Sequence, residues 1–183
     1  MIAEAAAAAR AVLSERARLL ARRPSPPESG DMVAVVTFLV GGESFAIETT
    51  FVREIARLRH VAPLPRGPAA VRGVTTYRGE ILPVLDVRAV LGHPAEGLPD
   101  LIRVLVLGAA GPEFGLLADE VAGTASIPAR DLLALPAEIS VRARTYLRAL
   151  TPDATLLLDG AALLADPELF ATRDGASAGD ADA

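Results

Sequence analysis

The chain has 183 residues, of which 51% are hydrophobic and only 4% aromatic, so it can bury a core built chiefly from valine, leucine, isoleucine and alanine. It contains no cysteine, which excludes disulfides, thiolate metal sites and cysteine nucleophiles. All 18 basic residues are arginine, which also excludes a P-loop, a Schiff base and a lysine general base. The net charge of −5 gives no general affinity for nucleic acid, and the two histidines, His60 and His93, lie far apart, so we expect no metal or cofactor.

The N-terminal segment differs in composition from the rest. Residues 1–23 are rich in alanine, leucine and arginine and predict a helix. Residues 24–31 begin with the run PSPP, which ends the helix and predicts a stiff linker. No apolar run approaches the roughly 18 residues of a membrane helix, and Glu4 and Arg10 interrupt any apolar leader. We therefore expect a cytoplasmic protein.

Two strand hairpins follow. Val33 to Val40 predicts a strand, Gly41 and Gly42 a turn, and Ser44 to Glu48 the returning strand. The same pattern recurs at 103–107, 108–112 and 113–117. Between the hairpins, Ile81, Leu82, Val84 and Leu85 predict a strand that is buried on both faces. Residues 171–183 are small, polar and acidic and predict a disordered tail.

The two hairpins belong to an internal repeat. The segment FAI at 45–47 matches FGL at 114–116 with an offset of 69, and Val52 matches Val121 with the same offset. Further on, LD at 85–86 matches LD at 158–159 with an offset of 73. A domain over 32–170 is therefore predicted, with copies at about 32–92 and 101–164. Each copy holds about five short strands, which predicts two curled five-stranded β-barrels that share strands and pack together.

Polar residues at the strand ends favour structural roles. Asp86 and Asp159 each follow a strand and precede a short helical run, as expected of helix N-caps. The other carboxylates form no recognised catalytic arrangement. Seven arginines but only three acidic residues fall within 53–88, which indicates either a solvated surface or a patch for an acidic protein partner. Arg78 and Gly79 stand directly before the strand that begins near Ile81, where a simple hairpin has no obvious need for an arginine.

The chain resembles the CheW family of chemotaxis coupling proteins from about Val33 to Phe170. The resemblance rests on TFLVGGESFAIETTFVREI and PLPRGPAAVRGVTTYRGEILPVLD in the first copy. In the second copy it rests on FGLLADEVAGTASIP and TYLRALTPDATLLLDGAALL. Thr76 stands where the family usually has asparagine, a difference that bears on partner specificity.

The resemblance implies an all-β fold of two SH3-like five-stranded barrels with short helices, here with an N-terminal helical extension. It also implies a non-enzymatic scaffold that binds the cytoplasmic tip of chemoreceptors and the CheW-like regulatory domain of the histidine kinase CheA. Such a protein meets the membrane only through receptors and binds no nucleic acid. The implied partner-binding residues are Val52, Glu54, Gly73, Arg78 and Gly79, with Glu54 and Arg78 paired. The alternatives are an adaptor of a non-motility pathway (pili, biofilm or gene regulation), a decoy, an RNA-binding SH3-like module and a small enzyme.

Overall fold

The computed structural model describes residues 31–65, 67–93, 102–111 and 113–170. The predicted N-terminal helix, the linker up to residue 30 and the predicted acidic tail lie outside these residues. Ten strands are present: β1 (Met32–Val40), β2 (Glu43–Glu48), β3 (Val52–Leu58), β4 (Val71–Tyr77), β5 (Glu80–Leu85), β6 (Ile102–Leu107), β7 (Phe114–Ala118), β8 (Glu120–Pro128), β9 (Leu147–Leu150) and β10 (Leu156–Leu158). Three short α-helices accompany them: α1 (Val87–Leu91), α2 (Val141–Tyr146) and α3 (Gly160–Ala165).

The strands form two five-stranded sheets that exchange strands between the sequence copies. Sheet one has the order β8-β1-β2-β10-β9, and sheet two has the order β3-β6-β7-β5-β4. Strands β1 to β5 of the first copy correspond in order to β6 to β10 of the second. Exchanging each strand for its counterpart turns the order of sheet one into the order of sheet two. Each sheet therefore combines the first hairpin of one copy with the last three strands of the other. A boundary drawn between the copies does not separate the two sheets.

Both sheets close into barrels at equivalent places. In sheet two, Ala62, just beyond β3, forms an antiparallel bridge with Val74 on β4 through two backbone hydrogen bonds of 2.8 Å. In sheet one, Leu133, beyond β8, bridges Leu150 on β9 through bonds of 2.7 and 3.0 Å. These bridges join strands that would otherwise be the free edges of each sheet.

Most of the buried side chains lie between the barrels. Alternate residues of a strand face opposite sides of its sheet, so Val104 and Val106 fill the interior of barrel two while Leu105 and Leu107 face the other barrel. Among the described residues, the buried cluster in the interior of barrel one is small and consists of Val35, Ala46, Ala149 and Leu157. The large central cluster between the barrels takes residues from both sheets and from all three helices. The two barrels therefore share one core.

The repeat places its counterparts in equivalent positions. Phe45 on β2 and Phe114 on β7 are both fully buried in the central cluster. The N-cap predictions are confirmed, because the carboxylate of Asp86 accepts from the backbone N–H of Arg88 at 3.0 Å and that of Asp159 accepts from Ala162 at 2.9 Å. The prediction that Ile81 is buried is wrong. Its side chain is 77% exposed, while Leu82, Val84 and Leu85 are buried as expected.

Replacing Phe45 or Phe114 by alanine should lower the free energy of unfolding by about 3–5 kcal/mol in each case, because both rings are buried in the shared core. Denaturant unfolding of the two variants measures this loss. Phe170→Ala is the control and should cost less, since that ring is 37% exposed. A loss below about 1 kcal/mol at both Phe45 and Phe114 would contradict their equivalence as core positions.

Candidate functional site

The β4–β5 hairpin turns through Arg78 and Gly79 alone. Tyr77 and Glu80 form the last strand pair, and the two turn residues have φ of 52° and 89°. Positive φ at both central residues defines a type I′ turn, for which Asn-Gly and Gly-Gly are the favoured sequences. A residue with a larger side chain adopts this left-handed conformation at a cost of roughly 1–2 kcal/mol. Arg78 is therefore held where folding alone would favour asparagine or glycine.

The Arg78 side chain joins a cluster of three residues. Its Nη2 lies 2.5 Å from Oε2 of Glu54, which also accepts a hydrogen bond of 2.5 Å from the hydroxyl of Tyr77. The central guanidinium carbon of Arg78 lies 5.2 Å from the centre of the Tyr77 ring, within the range of a cation–π contact. Each member of this Glu54–Tyr77–Arg78 cluster thus contacts the other two.

Barrel closure brings the cluster together from two strands. Glu54 lies on the same face of β3 as Ala56 and Leu58, which pack in the interior of barrel two. The ring of Tyr77 on β4 packs against the same interior. Because β3 and β4 meet at the closing bridge, the carboxylate and the phenol can reach each other across the end of the barrel.

The charges of Glu54 and Arg78 in the cluster are complementary, and both side chains are open to water. The hydrogen bond from Tyr77 is the main influence that lowers the pKa of Glu54, and Arg78 lowers it further against the opposing effect of desolvation. The same hydrogen bond raises the pKa of Tyr77. The side chains of Arg78 and Glu54 are 72% and 40% exposed, so solvent screens their attraction and the pair adds little to folding. The arrangement holds a positive charge in a fixed position on the surface.

The predicted site residues fall into two groups. Glu54, Arg78 and Gly79 lie together at the exposed turn. Val52 is half-buried against the central cluster, because an irregularity in pairing between Val52 and Glu54 separates them. Gly73 is buried at the barrel seam, where a Cβ would lie 2.2 Å from the backbone oxygen of Ala62, so its place in the fold is explained by barrel closure.

Tyr77 is the member of the cluster that sequence reasoning missed. Its signal is its rarity, since it is one of two tyrosines in the chain and lies next to the arginine of interest. A tyrosine combines an apolar ring with a polar hydroxyl, which suits a position between a barrel interior and a surface carboxylate.

Barrel one has no counterpart of the cluster. Gly123 pairs with Thr37 in barrel one, and Glu54 pairs with Val106 in barrel two. Both members of the second copy lie 69 residues after their counterparts in the first, so Gly123 occupies the position of Glu54. The β9–β10 connection contains Asp153, whose carboxylate accepts from the hydroxyls of Thr151 and Thr155. The repeat is therefore symmetric in its backbone and asymmetric in this surface feature.

Within residues 31–65, 67–93, 102–111 and 113–170, no group of three or more histidine or acidic side chains is arranged to hold a metal ion. In the same residues, no helix has the length and hydropathy needed to cross a membrane.

Tyr77→Phe should raise the pKa of Glu54 toward its ordinary value, because the variant keeps the ring and loses the hydrogen bond that lowers this pKa most. NMR titration of the Glu54 carboxyl carbon measures the change. Because the pKa of Glu54 is lowered in the folded state, its ionised carboxylate stabilises the fold at pH values above its unfolded-state pKa. This stabilisation is lost as pH falls through the folded-state pKa. The variant should therefore lose less stability on acidification. Tyr146→Phe, which removes a hydrogen bond to Asp166, is the control. An unchanged Glu54 pKa in Tyr77→Phe would show that the hydroxyl does not hold the carboxylate.

Three curated relatives match the chain at 32–35% identity. FrzA of Myxococcus xanthus is 35% identical over 99 residues, a match that covers 54% of this chain and 62% of that relative, which is less than two thirds of its length. Chemotaxis protein CheW of Rhizobium meliloti is 32% identical over 115 residues, covering 62% and 74% of the two chains. PilI of Pseudomonas aeruginosa is 32% identical over 111 residues, covering 61% and 62%.

The solved structures support the fold. The crystal structure of the scaffolding protein TtCheW from Thermoanaerobacter tengcongensis matches with a TM-score of 0.60 at 19% identity, covering 70% of this chain and 90% of that one. This likeness confirms the predicted pair of SH3-like five-stranded barrels. The family model for a CheW-like domain matches residues 34–168, which includes all ten strands but the start of β1. Because this match extends over far more than half of the sequence, the chain belongs to the CheW-like family.

Proposed function

We propose that the protein is a non-enzymatic adaptor that couples chemoreceptors to a CheA histidine kinase in the cytoplasm. The observation that carries this proposal is the Glu54–Tyr77–Arg78 cluster. It holds an exposed guanidinium on a strained turn through contacts with Glu54 and with the ring of Tyr77, although an exposed pair of this kind contributes little to folding. A costly backbone conformation at a rigid surface feature supports a role in recognition.

The chemistry of the cluster fits a protein partner. A guanidinium stays charged at every physiological pH and can form two parallel hydrogen bonds with a carboxylate. The contacts with Glu54 and Tyr77 fix the orientation of the Arg78 guanidinium and therefore the direction in which its remaining N–H groups point. The receptor tip and the CheW-like regulatory domain of CheA are the partners we propose, and contact with the membrane would be indirect, through receptors.

A second circuit is also supported by the comparisons. Two of the relatives, FrzA and PilI, have names that do not mention chemotaxis, at 35% and 32% identity. The same adaptor chemistry could therefore serve a receptor–kinase pathway that controls pili, biofilm or gene expression. Isolating the receptors and kinase bound to the full chain in native lysate distinguishes the two circuits by the identity of the captured proteins.

Substitution of Arg78 should separate folding from binding. Arg78→Ala should leave the melting temperature nearly unchanged, while affinity for the receptor tip or the kinase domain should fall at least tenfold, about 1.4 kcal/mol. Arg78→Lys should restore little, because an ammonium lacks the planar two-bond geometry. Arg78→Asn should stabilise the protein by up to about 1 kcal/mol, since asparagine tolerates the left-handed turn, and should still bind poorly. Calorimetric titration with each partner and thermal melts measure both effects.

The matched control is Arg130→Ala, which removes an exposed arginine that follows β8 of barrel one. It should change neither binding nor stability. If Arg78→Ala binds both partners as the unsubstituted protein does, Arg78 is an ordinary solvated turn residue and the proposal loses its main support.

A further inference from the structure

A groove runs along the seam of barrel two, beside the Glu54–Tyr77–Arg78 cluster. One side of the groove is formed by the end of β3 and the residues that follow it, and the other side by the outer face of β4. Its volume is about 570 Å³. Its lining includes Arg57, Arg59 and His60 on one side and Val74, Thr76 and Ile81 on the other. Thr76, which lines the groove, directly precedes Tyr77 of the cluster on β4.

The two arginines on the basic side of this seam groove form no ion pair with the part of the chain that the structure describes. Arg57 and Arg59 are exposed, and among the residues that the structure describes no carboxylate lies within ion-pairing distance of either guanidinium. Leu58 between them points into the barrel. Two positive charges held near each other repel, and this repulsion is relieved when carboxylates of another molecule approach.

Other arginines of the same region have structural roles. Arg53 donates from Nε to the backbone oxygen of Gly108 at 2.7 Å, and Arg88 pairs with the buried carboxylate of Asp86 at 3.1 Å. The excess of arginine within 53–88 is thus divided between internal contacts and the exposed groups at the groove and the cluster.

The opposite side of the groove carries the apolar side chains of Val74 and Ile81 beside two threonines, Thr75 and Thr76. Ile81 is 77% exposed although it is the second residue of β5 and the next residue, Leu82, is buried. It pairs with Thr76 across the β4–β5 ladder, so both side chains lie on the outer face of the barrel. An exposed isoleucine beside two arginines provides an apolar contact and a positive border within one groove.

We propose that the seam groove binds an acidic segment of a partner protein, with carboxylates at Arg57 and Arg59 and an apolar side chain against Ile81. Charge complementarity favours this occupant, because the groove is basic while the chain as a whole carries a net charge of −5. A protein segment is favoured over single-stranded RNA because, among the described residues, no phenylalanine, tyrosine or tryptophan lines the groove to stack on bases. The proposal rests on the adaptor function above and names a second contact surface for it.

The test uses the full chain, labelled with ¹⁵N, and two eight-residue peptides. One alternates glutamate with leucine, and the other replaces every glutamate by glutamine. The acidic peptide should shift the amide signals of the groove residues, and the neutral peptide should bind at least tenfold more weakly. Arg57→Gln combined with Arg59→Gln should weaken the acidic peptide at least tenfold, whereas Arg130→Gln should not.

The apolar contact has its own matched pair. Ile81→Ser should weaken the acidic peptide severalfold, while Val141→Ser, at a site that is 85% exposed outside the groove, should not. Equal binding of the two peptides, signal shifts spread over arginines elsewhere, or tighter binding of a single-stranded RNA oligonucleotide in the groove would overturn the proposal.

The outcomes also separate this proposal from the adaptor function. Failure of the unsubstituted chain to bind the acidic peptide rejects the groove and leaves the adaptor function standing. Failure to bind both the receptor tip and the kinase domain, with the peptide still bound at the groove, rejects the adaptor partners instead.

Discussion

The shared core between the two barrels is the constraint on which the rest of the structure depends. Barrels of about 60 residues bury too small a fraction of their surface to be very stable alone, and the buried cluster inside barrel one has only four members among the described residues. Exchange of hairpins between the copies places the outer faces of β1, β2, β6 and β7 against each other and creates the central cluster. Neither barrel can be completed without strands from both copies.

This shared core also explains the form of the surface site. One end of barrel two lies away from the central cluster, and there β3 and β4 meet at a closing bridge and leave the seam groove. The Glu54–Tyr77–Arg78 cluster lies beside it on a turn of only two residues. The rigid barrel fixes the directions of side chains that contribute little to folding. Barrel one keeps the backbone pattern with Gly123 in place of Glu54, so the Glu54 position carries a carboxylate in barrel two alone.

Much of the fold could be predicted because its signals are local. Alternating apolar residues with glycine turns gave the hairpins, and aspartates before short helical runs gave both N-caps. The repeat predicted five strands in each copy. It could not say which copy completes which barrel, because equivalent strands have the same pattern in either arrangement.

The site could be predicted only in part. The family resemblance supplied Glu54 and Arg78, whereas the contacts of Tyr77 depend on barrel closure, which the sequence does not reveal. Ile81 was assigned to the core because its strand is apolar on both faces. The outer face of β5 is covered at Leu85 by the central cluster, but at Ile81 it faces the groove. Burial along β5 therefore depends on how far barrel one extends over its outer face.

The central claim is that the cluster is held for recognition and not for folding. A double-mutant cycle of Glu54→Gln and Arg78→Ala, measured both for partner affinity and for thermal unfolding, tests it most directly. The account predicts that the double variant loses less affinity than the sum of the single variants, because each single change already removes the supported guanidinium. The same cycle should show almost no coupling in melting temperature. Additive losses of affinity, or strong coupling in stability without coupling in binding, would contradict it.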